Sequence, residues 1–176
     1  RSTQAKTLFP YTTLFRSENA LAKARNAALH TGLPAIADDA GLCVDAFHGL
    51  PGVDTAYYAV QFGLAKGDDN NVTALLAQMK DIAGGSPRRA ALVSTLVAVR
   101  TPDDPEPLVA VGRAVGEITQ ERIGTGGFGF DPVLFIPEIG KTFAQLTSEE
   151  KNARSHRGQA ARQMVELIRS NWLVHA

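Results

Sequence analysis

The chain has little with which to build a covalent or membrane-bound structure. Cys43 is its single cysteine among 176 residues, so an internal disulfide is excluded. Within an apolar stretch, a lone cysteine reads as a small buried thiol. No run of residues is apolar and long enough to cross a bilayer, and no secretory signal pattern is present. Charge of one sign is also lacking. Eighteen Lys and Arg balance eighteen Asp and Glu, which excludes a general polyelectrolyte attraction to nucleic acid or to an anionic membrane. A local cluster for a small anion remains possible. The Walker phosphate loop is absent as well. What remains is a hydrophobic fraction of 44%, ordinary for one globular domain with a core of its own. These properties place the chain in a reducing cytoplasm.

The opening segment RSTQAKTLFPYTTLFRS has neither a clean helical nor a clean strand period, and it resembles a translated cloning junction. Residues 1–17 are therefore read as a non-native leader, and 18–176 as one domain. Ser17 is expected to cap a helix from Glu18 to about His30, with Ala20, Leu21, Ala24 and Ala28 as its apolar stripe. PAIA, residues 34–37, predicts a short buried strand, and Leu42–Phe47 a second one. GLPGVD reads as a loop. Asp68 or Asp69 is expected to cap a helix bearing Val72, Leu75, Leu76 and Met79. Arg88–Arg100 and Pro107–Thr119 read as a strand pair joined at PDDPEP, and Val133–Pro137 as a further strand. Thr147 and Glu150 form a capping box ahead of a helical tail. Strands alternating with helices, one pair antiparallel, predict an α/β fold with a mixed β-sheet flanked by helices.

Three stretches carry chemistry. Asp38 and Asp39 are adjacent between two apolar segments. Paired carboxylates repel and are costly to desolvate, and a divalent cation relieves both problems. Mg²⁺ is usually held by one or two carboxylates together with substrate phosphates. The simpler reading has equal weight: one Asp caps a turn and the other faces water. In TGGFGFDP, Thr125–Pro132, the glycines allow close backbone approach, and Phe128 or Phe130 offers a ring to a planar ligand. A glycine turn with two core phenylalanines explains the same letters. In EEKNARSHRG, Glu149–Gly158, Ser155 is placed to cap the last helix. His156 and Arg157 then fall in its first turn, where the helix dipole favours anions, not cations. That conflict points to a bound anion, although a solvated basic face is the usual fate of such runs.

Together, ENALAKARNAA, LPAIADDAGLCVDAFHGLPGVDTAYYA and GTGGFGFDPVLFIPEIGKTFAQLTSEEKNARSHRGQA resemble, in order, the inosine triphosphate pyrophosphatase family of XTP/dITP diphosphatases. The resemblance runs from Glu18 to about the C-terminus. It implies an α/β fold with the substrate in a cleft between two lobes, and a homodimer. It also implies Mg²⁺-dependent hydrolysis of ITP, dITP and XTP to the monophosphate and pyrophosphate. By position, Asp39 matches the proton acceptor, and Asp39, Asp38 and Glu18 the carboxylates near the metal. Ala40, Phe128, Gly129, Phe130, Asp131, Lys151, His156 and Arg157 match substrate contacts. The departures are specific. An (S/T)-x-N-x-x-K phosphate loop does not precede Glu18, Ala40 stands where serine is usual, and Tyr57 where arginine is usual. They leave open an alternative, a nucleotide-binding protein of this fold with reduced or lost hydrolysis. A pyrophosphatase for other modified nucleotides is a further alternative.

Overall fold

The computed structural model describes residues 9–84 and 86–173. Five strands lie in the order β1 (Ala35–Val44), β2 (Arg89–Val99), β3 (Leu108–Ile118), β4 (Leu134–Ile136) and β5 (Lys141–Thr142). Four helices accompany them: α1 (Phe9–Thr31), α2 (Asp68–Gln78), α3 (Ser148–Arg154) and α4 (His156–Trp172). The α/β class expected from the sequence is what the fold shows. Every pairing between the described strands is antiparallel, so no parallel pair contributes among these five.

Side chains alternate across a strand, and this period assigns each helix to a face. Val97 and Val99 of β2 pack with Ala35 and Ala37 of β1 against Ala20, Ala24 and Ala28 of α1. Ala98 and Ala110, on the opposite face of β2 and β3, pack against Met164 of α4. A larger cluster beyond this joins Leu42, Val44, Leu75, Met79, Leu92, Val133, Leu134 and Phe143. The small alanines of α1 let its axis approach the sheet closely.

Several expected boundaries move. Helix α1 starts at Phe9, so Ser17 is an interior position and not an N-cap. The segment before Ser17 contains no glycine, and Pro10 sits in the first turn, where its missing N–H costs nothing. Arg16, assigned to the leader, is 1% exposed and donates to Gly41 O, Val93 O and Cys43 Sγ. The two short strands expected around the acid pair are one strand of 10 residues, which ends at Val44, with Asp38 and Asp39 inside it. The ladder to β2 carries both acids across without a turn. GLPGVD leads into a 3-10 segment, Gly52–Phe62. The N-cap of α2 is Gly67, which lacks a side chain to cap with, so neither Asp68 nor Asp69 has that role. The capping box at Thr147 and Glu150 and the Ser155 cap form as expected.

Two polar clusters hold the ends of the sheet. Asp104 accepts from Arg100 N, Nε and Nη2 and from Glu106 N, closing the β2–β3 hairpin. The Arg100 guanidinium holds the Asp104 carboxyl well below the usual range. Arg88 is 2% exposed and donates to the carbonyls of Met79, Ile82, Ile118 and Thr119, tying the end of α2 to the end of β3. Arg88→Leu leaves these carbonyls without their donor inside the protein. We expect a loss of about 3 kcal/mol or more, read as a lower urea midpoint at unchanged slope.

Candidate active site

Adjacent residues of one strand face opposite ways, and this separates the two acids. Asp38 points to the α4 face. Its Oδ1 accepts from Ser94 Oγ, and its Oδ2 accepts from Arg157 Nε at 2.9 Å. Asp39 points to the α1 face. Its Oδ1 accepts from Lys23 Nζ at 2.7 Å, while its Oδ2 is buried with no partner among the described residues. Lys23 also donates to Asp38 O at 3.1 Å, so the lysine spans the strand just where the acids diverge. Glu18 is exposed on α1. Among the described residues, no group of three or more Asp, Glu, His or Cys side chains converges as a metal cage.

The glycine-aromatic loop is held by two carboxylates. Buried Asp131 accepts through Oδ2 from Phe128 N at 2.8 Å and from Lys151 Nζ. A Cβ on Gly127 would lie 2.0 Å from that same Asp131 oxygen, and its φ of +75° disfavours any other residue. Asp68 Oδ2 accepts from Gly129 N at 3.2 Å and so ties the start of α2 to the loop. The two phenylalanines divide the alternatives seen in the sequence. Phe130 is 5% exposed and belongs to the core, whereas Phe128 is 60% exposed. Lys151 Nζ stands 4.2 Å from the Phe128 ring centroid and Arg157 Cζ 5.6 Å from it, cations over an aromatic face.

Ser155 caps α4 by accepting from Gly158 N at 3.0 Å, and the next two residues enter the site. His156 is 7% exposed, with Nδ1 buried and unpartnered among the described residues. Burial, with the Arg157 charge beside it, pushes its imidazole down to about 4, so it is neutral at neutral pH. The room for this turn comes from a row of small residues across the sheet. Ala40 pairs with Ser94, and Ser94 with Gly112.

These residues line two adjoining pockets. One, of about 180 Å³, lies among Ala40, Thr55, Asp68, Gly129, His156 and Arg157. The other, of about 340 Å³, lies beyond the Phe128 ring among Ser148, Lys151, Asn152 and His156. Of the residues expected from the sequence, Asp38, Ala40, Phe128, Gly129, Phe130, Asp131, Lys151, His156 and Arg157 are brought together here. Asp39 and Glu18 are not. Asp39 lies one residue away along the strand but on the reverse face, with Lys23.

Lys23, Asp68 and Ser94 are the residues that sequence reasoning missed. Ser94 had a legible signal: with Thr95 it interrupts the apolar run AALVSTLVAV, and both are fully buried. Asp68 had none, because its contact bridges 61 positions.

The chain's relatives bear on what such an arrangement does. The profile of the Ham1 family matches residues 12–167. A dITP/XTP pyrophosphatase of Paracidovorax citrulli is 72% identical over 155 residues, covering 88% of this chain and 76% of the relative. A dITP/XTP pyrophosphatase of Albidiferax ferrireducens is 68% identical over 164 residues, covering 93% and 80%. Among solved structures, a HAM1 protein from Coxiella burnetii superposes with a TM-score of 0.79 at 40% identity, over 87% of this chain and 76% of that one. The Staphylococcus aureus Ham1 protein gives 0.77 at 36%, over 88% and 76%. Sequence, fold and the order of the site-bearing segments agree, and the chain belongs to the Ham1 family.

Proposed function

We propose that this chain hydrolyses non-standard purine nucleoside triphosphates, dITP, ITP and XTP, to the monophosphate and pyrophosphate. The observation that carries the reading is its 72% identity to a dITP/XTP pyrophosphatase across 88% of its length. The half of the site that would hold the nucleobase is compatible with it, while Asp39 stands on the other face of β1. Phe128 offers an exposed face to a purine. Arg157 and the neutral His156 stand beside that face and supply donors for O6, the group that hypoxanthine and xanthine share. Lys151 adds a positive charge at the same ring.

Asp39 is the residue proposed to accept the proton of the attacking water. Its Oδ2 is the uncommitted carboxylate oxygen, and Lys23 holds the other so that the group keeps one orientation. Water oxygen bonds to the α-phosphorus, the α–β anhydride bond breaks, and pyrophosphate leaves. Glu18, exposed on the adjoining helix, and the Asp39 carboxylate are the groups that would hold Mg²⁺. Asp38 fits less well, since the Arg157 guanidinium already pairs with its charge. When bound, Mg²⁺ neutralises charge developing on the phosphoryl oxygens.

The reading takes one catalytic domain, with buried Arg16 part of its packing, acting in the cytoplasm as a homodimer. No described helix is long and apolar enough to cross a membrane. It is tested by pyrophosphate release from dITP with Mg²⁺, against dGTP and against excess chelator. We expect release from dITP at least tenfold above dGTP, abolished by the chelator. Equal release from both nucleotides would overturn the substrate assignment. Binding of dITP without release would favour the non-hydrolysing alternative, for which Ala40 in the pocket wall is the relevant departure.

A further inference from the structure

We propose that Ser94 and Asp38 form a strut that presents Arg157 to the nucleotide, and that Asp38 works in this way instead of ligating metal. The proposal rests on the nucleotide-binding reading above and assigns Ser94 a positioning role in it.

The strut follows from strand register. Ser94 pairs with Ala40, and Asp38 pairs with Leu96, so Ser94 and Asp38 are diagonal neighbours on one face of the sheet. Ser94 is fully buried, in a strand whose neighbouring positions are almost all apolar. A hydroxyl there is costly unless it is satisfied. It donates to Asp38 Oδ1, and Asp38 Oδ2 accepts from Arg157 Nε at 2.9 Å. The chain of contacts continues to the Phe128 ring, 5.6 Å from Arg157 Cζ.

This arrangement answers a conflict in the local sequence. Arg157 sits in the first turn of α4, where the helix dipole disfavours a cation. A carboxylate from the sheet offsets that cost. Because the bond uses Nε, the two Nη groups remain without a hydrogen-bond partner among the described residues. Asp38 therefore fixes the plane of the guanidinium while leaving its fork for a ligand. Ser94 in turn keeps the carboxylate from rotating about its own axis. A metal ion on Asp38 would share a carboxylate whose charge Arg157 already offsets. The orphaned Asp39 Oδ2, on the other face, has no such competitor.

The test is kinetic. KM and kcat for dITP, and half-saturating Mg²⁺, are measured for the wild type and for S94A, D38N, R157A and the S94A/R157A double variant. We expect S94A to raise KM about fivefold, the size of one net hydrogen bond, with kcat within about twofold. The effect of S94A on KM should vanish in the R157A background, because nothing is left to position. D38N cannot accept as Asp38 does from both partners, and it should raise KM while half-saturating Mg²⁺ stays unchanged. D38N lies at the pocket edge and reads the strut even if S94A fails to fold. An unchanged KM in folded S94A, an equal S94A effect with and without Arg157, or a D38N shift in half-saturating Mg²⁺ would each overturn the proposal. If the wild type binds dITP without turnover, the hydrolase reading fails alone. The dITP-induced rise in melting temperature then reports the same variants, with the same pattern expected.

Discussion

Asp39→Asn is expected to lower kcat for pyrophosphate release from dITP by about three orders of magnitude, within the range assigned to a general base. The amide nearly matches the carboxylate in shape, but it neither takes a proton from water nor neutralises a cation. Its position makes the loss specific. Oδ1 is committed to Lys23, and Oδ2 is the oxygen left for chemistry. Stability should change little, because the Lys23–Asp39 pair has a half-exposed lysine, and such pairs contribute at most about 1 kcal/mol. A melting temperature within a few degrees of wild type, together with the kinetic loss, is the expected pair of results. The neighbouring acid gives a built-in contrast. D38N should act on KM and D39N on kcat, because the strand turns the two carboxylates to opposite faces. A D39N variant that retains more than about a tenth of the wild-type kcat would remove Asp39 from the role of base.

Gly112→Ala is expected to destabilise the protein by about 3 kcal/mol or more and to raise KM for dITP in whatever fraction remains folded. A Cβ at this position would lie 1.8 Å from His156 O and 2.7 Å from Ala160 N. Both are backbone atoms of α4, so no side-chain rotation relieves the clash. The helix has to lift from β3, and it carries His156 and Arg157 with it. Gln159 Oε1 and Gln163 Oε1, which accept from Arg113 N and Val111 N, would be pulled from the same strand. Gly84→Ala is the control, since a Cβ there meets nothing within 4 Å and its backbone needs no positive φ. A lower urea midpoint for Gly112→Ala but not for Gly84→Ala is the expected result. Equal midpoints would mean that α4 is not seated on Gly112.

Much of the site was legible before any coordinate. TGGFGFDP and EEKNARSHRG are local: their glycines, caps and charges act over a few residues, and Thr147, Ser155 and Phe128 lie where local chemistry puts them. The acid pair was legible as chemistry but not as geometry. Treated as a turn between two short strands, Asp38 and Asp39 would share a surroundings. Within one strand of 10 residues, the period of two gives them different partners, Arg157 and Lys23. Ser17 shows the converse. Its side chain is a good cap, but the helix runs through it because nothing N-terminal to it breaks the helix.

By itself, the sequence determined the α/β class, the caps of α3 and α4, the buried thiol of Cys43 and the residue types available to bind a purine triphosphate. These rest on periodicity, on composition and on contacts between near neighbours in the chain. Only the tertiary structure decided which residues those side chains meet. Asp38 reaches Arg157 across 119 positions, Asp68 reaches Gly129 across 61, and Gly112 admits the first turn of α4. Strand register and close helix-to-sheet approach create such contacts, and neither is encoded by residues adjacent in sequence.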